Sequence, residues 1–211
     1  MSARIEDYAM IGDCRTAAIV CRDGSIDWLC LPRFDSAACF AALLGDKTNG
    51  RWLIEPVAKK FKFSRRYRGD SLILETTFTT PTGKVKVTDF MPPGTPESCI
   101  VRMVECLEGH VKMRTELTIR FDYGVTIPWV SRRDSRTMTA VAGPYLLTFR
   151  TPAEVRGENM HSVAEFSLRK SETMPFVLAY GESFRPLPLS IDAYIALEET
   201  ERYWQLWSGI C

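Results

Sequence analysis

Alternation of apolar and polar positions is strongest in the first thirty residues. TAAIVCRDGSIDWLCL is two apolar stretches flanking Asp23-Gly24, a dipeptide that suits both positive-φ positions of a type I′ hairpin. A two-residue turn sets Cys21 opposite Ile26, Ile19 opposite Trp28 and Ala17 opposite Cys30. That face is wholly apolar and is expected to be buried, Trp28 included. The other face, with Ala18, Val20 and Arg22 against Ser25, Asp27 and Leu29, is mixed. It is expected to meet solvent or a polar interface, with Asp27 diagonal to Arg22 as a cross-strand charge pair.

The period then changes. Pro32 ends the strand, Ser36 is placed to cap a short helix, and Ala37 to Leu44 closes at Gly45, which predicts a helix near 36–44. From residue 51 onward, strand-length pieces rich in Val, Ile, Thr, Phe and Tyr dominate. They are separated by turn chemistry at Gly69-Asp70, Pro81-Thr82-Gly83, Pro92-Pro93-Gly94, Gly109 and Gly143-Pro144. Many short strands at this spacing predict a mainly β fold, an antiparallel β-sandwich over residues 1–185. Pro186 and Pro188 mark an extended connector. Ser190 then opens the one long helical pattern, predicted near 190–208, with Ile191, Tyr194, Leu197, Trp204 and Trp207 near one face. So aromatic a helix needs something to pack on, and residues 186–211 are expected to be a linker helix leading to a partner outside this chain, or to meet a second copy in a dimer.

Composition narrows the class without naming the chemistry. With 27 Lys+Arg against 26 Asp+Glu the formal net charge is +1, which argues against a nucleic-acid partner. No apolar run approaches the ~20 residues of a membrane span, and MSARIEDYAM has no signal-peptide core, so a cytoplasmic chain away from the membrane is expected. Seven cysteines without a CxxC pair, and two histidines, suit reduced packed thiols better than a disulfide framework or a metal site.

Templates for catalysis are missing: there is no GxSxG, GxxxxGK[ST], GxGxxG or HExxH. Asp70 and Asp89 fall at strand ends or turns, where Asp serves the backbone. The PRFDS segment stands out, because it leaves the anchored hairpin presenting Arg33, Phe34 and Asp35 together. Either these contact a ligand or a neighbouring domain, or Arg33 and Asp35 pair with each other. Among the tryptophans, Trp129 beside Pro128 is the best candidate for an exposed aromatic platform.

GDxxTAA, DGSIDWLCLPRFDS, FAALLG and GRW, then TDFMPPG at 88–94 and YWQLWS at 203–208, together resemble the trehalase-like N-terminal domain of glycoside hydrolase family 15. This family contains bacterial and archaeal glucoamylase-like and trehalase-like proteins. The resemblance implies an N-terminal β-sandwich joined through a linker helix to an (α/α)₆ barrel that carries two glutamates for inverting hydrolysis of α-glucosidic bonds. On that expectation the barrel lies outside this chain, Trp204 and Trp207 serve an interface, and no catalytic residue falls within 1–211. The chain would be non-catalytic alone and need no cofactor. It would brace the barrel and wall the substrate cleft, or else act as an independent carbohydrate-binding module for an α-glucoside.

Overall fold

A computed structural model describes residues 4–210. Its fifteen strands are β1 (Tyr8–Gly12), β2 (Ala17–Cys21), β3 (Ser25–Cys30), β4 (Ala38–Phe40), β5 (Arg51–Pro56), β6 (Lys62–Tyr67), β7 (Leu74–Thr80) and β8 (Gly83–Phe90). There follow β9 (Cys99–Thr118), β10 (Trp129–Arg132), β11 (Thr137–Ala142), β12 (Tyr145–Arg150), β13 (Arg156–Glu158), β14 (His161–Arg169) and β15 (Thr173–Glu182). One α-helix, α1 (Ala193–Ser208), comes last. Every pairing is antiparallel, and the strands join into one large sheet that does not close into a barrel. The β-rich fold that the sequence predicts is the fold that forms.

The sheet doubles over on β9. The first half of β9 pairs with β8 and β15, for example Arg102 with Asp89 and Val101 with Val177. Its second half pairs with β5 and β14, for example Leu117 with Trp52 and Phe166 with Met113. Residues of the two layers then meet face to face. Trp52 of β5 stands edge-on to Phe149 of β12 at 5.5 Å, and Phe166 of β14 lies 5.3 Å from Phe176 of β15. Gly109, expected to be a turn between two strands, instead lies inside β9, with φ +69°. A Cβ there would come within 2.2 Å of the Thr82 carbonyl oxygen, so only glycine lets the strand pass this point.

Three local expectations change. In the hairpin, Ile19 pairs with Trp28 as expected, but Val20 pairs with Ile26, leaving Asp27 as the extra residue of a bulge. Both faces of the hairpin are largely buried: Ala17, Cys21, Ile26 and Cys30 are buried as expected, and most of the face expected to be mixed is buried too. Ala18, Val20, Ile26 and Leu29 are fully buried, while Ile19 and Trp28 are only half-buried. Asp27 accepts from Tyr8 Oη at 2.9 Å and from the Ser25 hydroxyl, and Arg22 pairs with Asp7 at 2.7 Å, so the Asp27–Arg22 pair does not form.

No helix forms over 36–44. Ala38–Phe40 is a buried strand on β3, with Phe40 opposite Leu29, and Ala42–Leu44 is a single 3-10 turn. So short a segment gains little from helical hydrogen bonds, and pairing with an existing strand edge wins.

The long helix begins at Ala193, capped by Asp192 rather than Ser190. The Asp192 carboxylate accepts the N–H groups of Tyr194 and Ile195 at 2.8 and 3.2 Å. Its buried row is Ala193, Ala196, Thr200 and Trp204, and Tyr194 and Trp207 face outward. Two alanines let the helix come close to Ile73, Phe90, Val101, Met103 and Val177 on the outer face of the second layer. Of the large residues in the pattern, Trp204 packs on the sheet with Ile191 and Leu197 beside it, and the small Ala193 and Ala196 share that contact face. Of the two expected interface tryptophans, Trp204 is therefore occupied by the sheet itself, whereas Trp207 remains 55% exposed.

Candidate functional site

The motifs that carry the resemblance converge on buried polar ties. Arg102 alternates with Ile100 and Val104 along β9, which points its guanidinium into the core, where it is fully buried. It donates to both Asp89 oxygens at 2.8 and 3.3 Å, and to the carbonyls of Trp52 and Gly24 at 2.7 Å each. Its charged carbon also lies 5.1 Å from the Trp52 ring. Asp89 of TDFMPPG and Gly24 of DGSIDW are thus joined through one arginine. Gly24 has φ +94°, and a Cβ on it would fall 2.2 Å from the Ile54 carbonyl oxygen. Asp13 of the GDxxTAA motif accepts the N–H groups of Arg15 and Thr16 at 2.9 Å each, and the Ser98 hydroxyl at 2.8 Å. Both carboxylates are buried and bonded to these groups, and they hold loops and strands in place. The sequence pattern missed Asp89 and Arg102, although a lone arginine in the inward register of SCIVRMVE was the available signal.

The PRFDS loop behaves differently. Arg33 Nε and Nη2 donate to Asp35 at 2.8 and 3.1 Å, and both side chains are about 70% exposed. The hydrogen bond from Arg33 lowers the Asp35 pKa. Arg33 N–H donates to the Ser36 hydroxyl, Phe34 N–H donates to the Arg15 carbonyl at 3.1 Å, and the Phe34 ring is 63% exposed. The loop is fixed at its backbone and presents a ring and an internally paired charge couple.

Trp129 opens β10 rather than lying in a loop, and is 80% exposed. It rims a groove of about 510 Å³ between the end of β9, β10 and the β13–β14 hairpin. Ile127, Met160 and Pro128 supply further apolar rim, and Arg120, Arg132, Glu158 and His161 supply the polar lining. The structure does not bring Arg33, Asp35, Trp129 and Trp207 to one lined pocket; Trp129 has this groove to itself. Among the described residues, no three His, Cys, Asp or Glu side chains are grouped to hold a metal ion.

The thiols follow burial. Desolvation pushes Cys21 up to about 11 and Cys99 up to about 12, and raises Cys39 as well. Cys14 alone of the six described is exposed, 3.7 Å from Tyr203 Oη; Cys211 lies outside the described residues.

A doubled antiparallel β sheet with one helix clasped to its outer face, and its motif residues tied into the core, defines the class: a β-sandwich domain. Within that class the chain belongs to the family described as trehalase-like, N-terminal, whose profile matches residues 1–185. The trehalase of Mycobacterium tuberculosis is 34% identical over 98% of this chain and 34% of its own length. Trehalase 1 of Sulfolobus acidocaldarius is 39% identical over 62% of this chain and 22% of its own length. The trehalase of Thermoplasma volcanium is 26% identical over 98% of this chain and 34% of its own. The chain thus spans about a third of the length of these relatives, or less.

Proposed function

We propose that this chain is the N-terminal β-sandwich of a longer glycoside hydrolase of the family-15 kind, acting in the cytoplasm on trehalose or another α-glucoside. In that reading it is not catalytic alone; it braces an (α/α)₆ barrel and walls part of its cleft. The observation that carries the reading is the family match over 1–185, combined with trehalases roughly three times as long as the chain. The local chemistry agrees with it, since the buried carboxylates Asp13 and Asp89 are engaged in structural bonds. The exposed strip of Ile195, Leu206 and Trp207 on α1 is where the chain would meet the barrel, or a second copy when isolated.

The test has two arms. Pure chain is assayed for glucose release from trehalose, maltose and maltodextrin, with none expected. Release abolished by one carboxylate substitution within 1–211 would make the chain an enzyme in its own right. In the longer protein, Arg33→Ala and Asp35→Ala are expected to lower activity while the fragment's melting stays unchanged. A rival reading, an independent module for neutral α-glucosides, draws on the exposure of Trp129. Saturable maltose or trehalose binding by the isolated chain would favour it.

A further inference from the structure

The groove beside Trp129 contains a charge with no counterpart. Arg120 is 92% buried, since only 8% of its surface is exposed, yet none of the described carboxylates lies within ion-pair distance of it. Its one side-chain bond is from Nη1 to the Ile119 carbonyl at 2.8 Å. Burial lowers its pKa, the expected effect of desolvating a cation without a partner. The other arginine buried to this degree, Arg102, is matched by Asp89 and two carbonyls. A buried cation is costly to desolvate without a counter-charge, so an arginine left open along a groove wall points to a partner that arrives from outside.

The neighbouring groups agree on the sign of that partner. Arg132 also lines the groove without a carboxylate, bonding only the Val155 carbonyl. Glu158 is the one acid in the lining, and it is held by Arg114 and Arg156 at 3.8 and 3.4 Å. His161 Nδ1 is engaged with the Thr118 hydroxyl. Above these groups stands the Trp129 indole, a flat apolar face at the mouth of a space within the ~300–1,000 Å³ range of small-ligand sites. An indole packs against the C–H face of a pyranose, and planar guanidinium forks suit phosphate or carboxylate oxygens.

We propose that this groove is a binding site for an anionic sugar, a pyranose bearing a phosphate or carboxylate, with Trp129 under the ring and Arg120 and Arg132 on the anion. The choice of a pyranose rests on the trehalase-type reading above; the anionic partner rests on Arg120 and Arg132 and is independent of that reading. Such a site would let a charged sugar metabolite report on, or occupy, a domain whose relatives are trehalases.

The experiment is a titration of the isotope-labelled 211-residue chain, followed by NMR, with glucose 6-phosphate, glucuronate, glucose and inorganic phosphate at constant ionic strength. Both anionic sugars are expected to shift the Trp129 indole N–H and the amides of Arg120, Arg132 and His161. They should bind at least about tenfold tighter than glucose or phosphate, the ratio that one modest charge-assisted contact supplies. Trp129→Ala should weaken both anionic sugars without lowering the melting temperature. Arg120→Gln should erase the margin over glucose; where it fails to fold, Arg132→Gln reads the same margin from an exposed position. Equal binding of glucose and glucose 6-phosphate would overturn the proposal, as would phosphate alone binding as well as the sugars. No movement at the groove with any of the four would also overturn it. None of these outcomes touches the accessory-domain reading, which stands or falls on glucose release and on activity of the longer protein.

Discussion

Two arginine–aspartate pairs in this chain share nearly the same geometry and differ in almost everything else. Arg102 meets Asp89 at 2.8 and 3.3 Å with both side chains essentially buried; Arg33 meets Asp35 at 2.8 and 3.1 Å with both about 70% exposed. The buried pair bridges β8 and β9 and reaches across to the carbonyls of Trp52 and Gly24, so four segments depend on it. The exposed pair links residues two apart on one loop, in water, where screening and side-chain entropy offset most of the attraction. Bond length therefore says little about what a pair does. Its surroundings decide whether removing one partner strands a charge or merely rehydrates one.

The sharpest way to break the comparison is to remove half of each pair. Arg102→Ala or Asp89→Ala should cost about 3–5 kcal/mol, read by urea denaturation, because the survivor is left charged in the core. Arg102→Met combined with Asp89→Leu should recover much of that loss, since no charge then remains to be desolvated. A loss no larger than that of a surface variant would show that water reaches the pair.

Next in size is the same contrast between aromatic residues of α1. Trp204→Ala should cost about 3 kcal/mol by the cavity it opens, while Trp207→Ala, on the exposed side, should fall below about 1. Equal losses would mean that the helix packs on both faces in solution.

An intermediate case lies at Glu75, bonded by Arg66 at 3.0 Å and by Arg68 at 2.8 Å. Burial raises its pKa, but the bonds from Arg68 and Arg66 outweigh this, and the net shift is downward. A depressed folded-state pKa contributes stability that is present above the ordinary glutamate value and lost as pH falls through the folded value. Melting temperature should therefore decline on acidification below the usual glutamate range, and Glu75→Gln should flatten that decline. A variant with an unchanged acid limb would place the loss elsewhere.

The smallest effect is expected at the loop. Arg33→Ala and Asp35→Ala should leave the melting of the 211-residue chain unchanged, with any loss of activity confined to the proposed longer protein. Marked destabilisation of the fragment would make the loop a clasp.

The fold class was legible because it rests on local signals that survive tertiary context: alternation, Asp23-Gly24 and the turn residues between strands. What the sequence hid were events set by contact between distant segments. The bulge at Asp27 shifted the hairpin register and both hairpin faces were covered, and β4 replaced a helix because the edge of β3 was available to pair. In α1 the small residues Ala193 and Ala196 met the sheet beside Trp204, while Tyr194 and Trp207 turned outward. In the site, the internal Arg33–Asp35 pair and the exposure of Trp129 could be read from neighbours in sequence. Arg120 could not, because an unpartnered arginine is recognised only once every carboxylate has a position.

The shared strand β9 has a consequence for how the molecule comes apart. Each layer takes its central member from a different half of one twenty-residue strand, so neither layer can melt while the other keeps its middle. Slow hydrogen exchange should run unbroken along β9 and share one opening free energy on both sides of Gly109, whereas the outlying β6 and β10 should exchange sooner. The pairings it gathers lie far apart along the chain, Arg51–Pro56 on one side and Thr173–Ala179 on another. Their closure makes for slow, all-or-none folding, in which half a domain is not a smaller domain but an unfolded one.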